Sequence, residues 1–177
     1  ILFNIDSKSE ADAKSNKDAI IDVFLKVFNE MQGFCGSLPF LADLERKLSE
    51  DGQYDCFKAK FQEVSGRKWE EARDEFYFIQ DEIVKTLAAL GIMSEDAARN
   101  WCERAVDTYS LSIEKFANLV RKYCESKGEN HHVVFLVDEI GQYIAGDARL
   151  MLNLQTVTED LGIACSGKAW VIVTSQQ

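Results

Sequence analysis

The sequence predicts a helix-rich α/β fold in which three parallel strands carry a large helical insertion. Three observations lead there. Val133-Val134-Phe135-Leu136-Val137 is an unbroken apolar run, the pattern of a strand buried on both faces of a parallel sheet. A second such run, Ala169-Trp170-Val171-Ile172-Val173, follows at the distance of one intervening helix, which makes a βαβ unit. Ahead of both, residues 17–128 are dominated by apolar residues at helical spacing, where a compact α/β unit has a single crossover.

Taken in order, Ile1-Leu2-Phe3-Asn4-Ile5 is short, apolar and β-prone, and the chain turns polar from Asp6. It reads as a buried strand ending in a loop, and the polar residues 10–16 continue that loop. Ile20, Phe24, Val27, Phe28 and Met31 recur at helical spacing until Gly33 and Gly36 stop the run. Pro39 suits the first turn of a second helix to about residue 49, and residues 54–64 give a third, closed near Gly66. The strongest helix is expected as one piece over residues 69–90. Ala72, Phe76, Ile79, Ile83, Leu87 and Leu90 form its apolar stripe, and Gly91 closes it. Ser94 and Ser112 read as N-caps of helices reaching about residues 109 and 126. After the apolar run at 133, a loop with Gly141 and Gly146 leads to a helix over 148–161, which Gly162 is expected to stop. The organisation is thus a first core strand with its loop (1–16), a helical insertion (17–128) and a strand–helix–strand unit (129–177), all of one partial domain.

Bulk properties exclude several functions. The net charge is −10, and the 20 basic residues stand singly or in pairs such as Arg46-Lys47 and Arg121-Lys122. No basic stripe is present to grip a phosphate backbone or an anionic membrane surface. No apolar run approaches the ~20 residues of a bilayer span. The five cysteines (Cys35, Cys56, Cys102, Cys124, Cys165) are far apart, odd in number and lack a CxxC pair. They read as reduced thiols packed as small apolar groups in a cytosolic protein, not as a disulfide framework. His131-His132 fits no usual zinc spacing and reads as polar residues leading into a strand.

The informative motif is the apolar strand closed by Asp138-Glu139, the Walker B pattern of P-loop NTPases. A hard Mg²⁺ prefers oxygen ligands, keeps much of its water, and needs a carboxylate at a fixed point. The carboxyl end of a buried strand is such a mount. Asp138 is the expected holder of Mg²⁺, through water. Glu139, one residue on, is placed to orient and activate a hydrolytic water. The ordinary alternative is a solvated strand end opening a loop. The next strand favours the first reading, because it ends in Thr174-Ser175-Gln176. In additional-strand ATPases the strand beside Walker B ends in a small polar residue, called sensor 1, that touches the γ-phosphate or the attacking water. Ser175 and Gln176 are the candidates. Arg149, close to Asp147, reads as a surface arginine in preference to an arginine finger.

No GxxxxGK[ST] occurs in the sequence, so no loop of this chain is patterned to cradle phosphates. The first strand fits the second core strand of such an ATPase. The chain also opens on Ile1 inside an apolar run and closes just after another. The expectation is a piece of a larger protein, with the phosphate loop ahead of Ile1. The chain alone is then not expected to hydrolyse ATP.

Several blocks resemble the large P-loop ATPase of bacterial BREX phage-exclusion systems. They are Val134-Phe135-Leu136-Val137-Asp138-Glu139-Ile140-Gly141-Gln142-Tyr143-Ile144, Arg149-Leu150-Met151-Leu152-Asn153-Leu154-Gln155-Thr156, Glu159-Asp160-Leu161-Gly162, and Gly167-Lys168-Ala169-Trp170-Val171-Ile172-Val173-Thr174-Ser175-Gln176. The resemblance is dense from residue 133 onward and thin in the helical middle. It implies a partial AAA+-like core with a helical insertion, belonging to a large cytoplasmic ATPase that uses ATP and Mg²⁺. Asp138 and Glu139 match the Walker B pair residue for residue. It also implies work beside a DNA methyltransferase and a phosphatase-like protein in antiviral defence, and allows a homo-oligomer. The alternative function is a non-catalytic helical interaction module on a degenerate ATPase scaffold.

Overall fold

The computed structural model describes residues 1–9 and 18–175. The loop expected at 10–16 and the candidate Gln176 lie outside the described residues. Three strands, β1 (Leu2–Asn4), β2 (Val133–Asp138) and β3 (Ala169–Val173), form one sheet in the order β1-β2-β3. Both pairings are parallel, and Leu2, Leu136 and Ile172 share one row across the sheet.

The first strand is shorter than its apolar run. Asn4 caps a single turn, α1 (Ile5–Lys8), by accepting from the Ser7 N–H at 3.0 Å, so Ile5 opens a helix. The other helices are α2 (Ala19–Met31), α3 (Pro39–Glu50), α4 (Tyr54–Ser65), α5 (Trp69–Ala72), α6 (Gln80–Ala89), α7 (Glu95–Thr108), α8 (Ile113–Lys127), α9 (Ile140–Ile144) and α10 (Ala148–Ala164). Ser94 and Ser112 do cap α7 and α8, accepting from the N–H groups of Ala97 (3.2 Å) and Lys115 (3.1 Å).

The chain divides into two compact units. One, made of Ile1–Met31 and Leu111–Gln177, holds the sheet. The helices α2 and α8, read from sequence as part of the insertion, belong to it. Their aromatic rings cover one sheet face. Phe24 lies 5.1 Å from Phe135 and 5.5 Å from Phe3 (centroid to centroid), and Phe116 lies 6.0 Å from Phe135. The Phe3–Phe24 pair meets edge to face, which adds to the area it buries, and the other two pairs are tilted. The opposite face is open: Leu2, Leu136, Trp170 and Ile172 are exposed. The strands are therefore buried on one face, not on both. The chain advances β1, β2, β3 in one direction, and right-handed crossovers then lay every connection on the same side.

The second unit, Gln32–Ser110, has its own core of Phe40, Phe57, Phe61, Trp69, Phe76 and Leu87. Here the single helix expected over 69–90 is broken. After α5 the chain tightens into a 3-10 helix, Arg73–Phe78, with Glu75 outside helical geometry, before α6 begins. The predicted stripe residues Ala72, Phe76, Ile79, Ile83 and Leu87 are nonetheless buried. The break lies beside a buried carboxylate. Glu45, fully buried, accepts from the Trp69 indole (2.6 Å), the Tyr54 hydroxyl (2.8 Å), the Arg73 guanidinium (2.8 Å) and the Cys35 N–H. Trp69 and Arg73 are thus both drawn to one point, and the backbone after them adjusts.

Gly162 does not stop its helix; α10 runs through it to Ala164, and the reversal falls at Ser166 and Gly167, both at positive φ. All five cysteines are free, and Cys56 alone of them is exposed. Among the described residues no helix is long and apolar enough to cross a membrane.

Candidate functional site

The carboxyl ends of the three strands meet at one point. β2 delivers Asp138 as its last residue, and β1 delivers Asn4 in register beside it. The chain then turns sharply at Glu139, which sits in the left-handed region (φ 60°) and opens α9. A non-glycine residue there costs about 1–2 kcal/mol, so neighbouring contacts must hold it. They do so from both sides. Asn4 Nδ2 donates to Glu139 Oε2. The Glu139 N–H donates to Asp138 Oδ1 at 3.0 Å, and the Thr174 hydroxyl donates to the same oxygen.

Backbone bonds lock β3 onto this corner. The Thr174 N–H donates to Val137 O (2.9 Å), and the Ile140 N–H donates to Thr174 O (3.2 Å). Thr174 thus touches Asp138 with its side chain while its peptide groups tie β2 to α9. Asp138 and Glu139, consecutive in the chain, both stand at this corner. Ser175 lies differently. Its side chain packs against Gly141, where a Cβ would collide with the Ser175 Oγ. The hydroxyl that bonds Asp138 is that of Thr174, one residue before Ser175.

Asn4 and Thr174 are the two participants that sequence reading passed over. Each is the first polar residue after an apolar strand in a sheet whose central strand ends in Asp-Glu, and that position was the available signal. Arg149 pairs with its near neighbour Asp147, Nη2 to Oδ2 at 2.9 Å and Nε to Oδ1 at 3.3 Å. The pairing with Arg149 holds the half-buried Asp147 carboxyl below its usual range.

The donor set suits a hard cation held largely by water. Asp138 is exposed, and its Oδ1 is already engaged by two donors that fix the carboxylate plane. Among the described residues no group of three or more His, Cys, Asp or Glu side chains could hold a metal ion. A Mg²⁺ needs no such cage. One or two carboxylates, water and phosphate oxygens complete its octahedron. Asp138 would hold it, with Glu139 next to it. No family model and no solved structure matches the chain.

Proposed function

We propose that this chain is part of the core of an ATP-hydrolysing, AAA+-like P-loop ATPase, of the kind found in BREX phage-defence systems. One observation carries the reading. Asp138 and Glu139 stand at the carboxyl end of the central strand of a parallel sheet, each bonded to the strand on one side. That is where α/β sheets place ligands. In this reading Asp138 holds the hydrated Mg²⁺, Thr174 keeps the Asp138 carboxylate oriented, and Glu139 polarises the attacking water. ATP and Mg²⁺ are the cofactors of the longer protein, since these 177 residues hold no GxxxxGK[ST]. The edge of β3, unpaired among the described residues, is where this reading puts the strand that carries the phosphate loop. The resemblance adds a cytoplasmic setting, a methyltransferase and a phosphatase-like protein as partners, and assembly with further copies.

Glu139→Gln in the longer protein tests this directly. ATP binding is expected to persist while turnover falls by about 100-fold or more, because the amide cannot take a proton from water. Normal turnover by that variant rejects the assignment of Glu139.

A second reading is favoured by residues 32–110, which fold around their own core. Here the helical unit is a non-catalytic interaction module and the sheet is its anchor. Removal of 32–110 then abolishes biological activity, and no Mg²⁺-dependent ATP turnover is found with or without those residues. The ATPase reading alone makes no such demand.

A further inference from the structure

The 3-10 helix of residues 32–110 turns three consecutive aromatic rings to two environments. Phe76 is fully buried in the core, whereas Tyr77 and Phe78 are 64% and 86% exposed. Three residues per turn and the non-helical Glu75 account for the display, since an unbroken α-helix would have spread these side chains over its circumference differently. Tyr77 leans edge-on against Phe76 at 5.6 Å, so the buried ring supports the exposed one. Scattered exposed apolar residues are ordinary. Two adjacent aromatics on a well-anchored turn have the composition of an interface anchor.

The surroundings are acidic. Asp74 and Glu75 precede the pair, Asp81 and Glu82 follow it, and no Lys or Arg lies between Arg73 and Lys85. Arg73 is directed inward, to Glu45 and to the Gly33 carbonyl (3.0 Å). Two outside arginines fix carboxylates of the rim. Arg67 grips Glu75 through two bonds of 2.9 and 2.8 Å, and Arg99 reaches Asp81 at 3.0 Å. We infer that Tyr77 and Phe78 dock a partner protein through an element with an apolar stripe bordered by Lys and Arg, the chemistry of a basic amphipathic helix. Charge selects this occupant. Arg67 and Arg99 offset two of the four carboxylates, and the negative charge that remains still disfavours the phosphates of nucleic acid and of anionic lipid. A second copy would bring another net charge of −10 to the same rim. The inference does not rest on the ATPase reading, and its test uses no nucleotide.

The probe is a fluorescent synthetic peptide of leucine and lysine patterned as an amphipathic helix, with a leucine–glutamate peptide as counterpart. The 177-residue chain is expected to bind the lysine peptide saturably and the glutamate peptide not at all. Tyr77→Ser/Phe78→Ser is expected to weaken that binding by about tenfold or more, with net charge and thermal midpoint unchanged. The unchanged charge separates docking on the rings from general attraction to an acidic protein. No saturable binding, equal binding by the double variant, or equal binding of the glutamate peptide overturns the inference. So does a lower thermal midpoint for the double variant, which would mean that the rings pack within the chain.

Discussion

Asn4 and Glu139, 135 positions apart, are joined side chain to side chain across the ends of β1 and β2. The Asn4 amide is oriented by its other contact. Its carbonyl oxygen accepts from the Ser7 N–H at 3.0 Å, so the amide nitrogen must face Glu139. A single residue thus caps α1 and holds the carboxylate that follows β2.

Asn4→Asp separates the two roles. The introduced carboxylate still accepts from Ser7, since Asp caps helices as well as Asn. It can only repel Glu139. At neutral pH the variant is expected to lose about 1 kcal/mol in urea unfolding. The repulsion is screened by salt, so the loss shrinks as ionic strength rises. A deficit independent of salt rejects this account. Asn4→Ala loses the cap as well, at a cost of about 1 kcal/mol that does not vary with salt.

Thr174 positions Asp138 through its hydroxyl and ties β2 to α9 through its backbone. Thr174→Val keeps the shape and removes the donor. Under the proposed ATPase function this is expected to lower Mg²⁺-dependent turnover by about tenfold, the usual effect of losing a group that orients a metal-holding carboxylate. Thr174→Ser restores the donor and is expected to restore turnover. Equal rates for Val and wild type place the orienting role elsewhere.

The sheet and its acidic corner were legible in the sequence because both follow from short patterns. An apolar run ending in Asp138-Glu139 and a second run one helix later specify parallel neighbours and the point where they end. The partners of those carboxylates were less legible. Asn4 stands 135 positions from Glu139, and no periodicity links residues across such a distance. Thr174 is not singled out because sequence alone does not say at which residue β3 stops facing β2. The helix over 69–90 shows the same limit. Its stripe named five buried side chains and a partly buried one, Leu90, yet the backbone breaks near a carboxylate on α3 that no local signal connects to Trp69 and Arg73. Gly162 misled for a different reason. Glycine ends a helix when a left-handed residue is needed, and here that conformation falls at Ser166 and Gly167.

Glu45 receives four donors and is fully buried, which makes residues 32–110 sensitive to its loss. In Glu45→Gln one acceptor becomes an NH₂ group facing a donor, whichever way the amide is turned. Arg73 also keeps its charge without a counter-ion. The expected cost is about 3 kcal/mol in urea unfolding. Glu45→Ala is expected to cost about 3–5 kcal/mol, with Arg73 left partly buried and unpaired. Loss of less than 1 kcal/mol in both variants would mean that water replaces the carboxylate.

The thiols give a prediction with a defined pH window. Burial raises the pKa of Cys35 and Cys124, and pushes Cys102 and Cys165 up to about 11 from the ordinary value of 9.0. At pH 8 the native chain is therefore expected to present one fast-reacting thiol to a disulfide reagent, the exposed Cys56. The remaining four react only on unfolding. The same shifts couple to stability. Between pH 9 and 11 the unfolded chain releases its thiol protons while the folded chain keeps those of Cys102 and Cys165. The unfolded state then binds fewer protons, so stability falls as pH rises through that window. Cys102→Ala and Cys165→Ala remove the titrating groups and are expected to flatten the slope of unfolding free energy against pH above 9. A slope unchanged in the double variant assigns alkaline unfolding to other groups. Rapid reaction of more than one thiol in the native chain at pH 8 contradicts the burial of the other four.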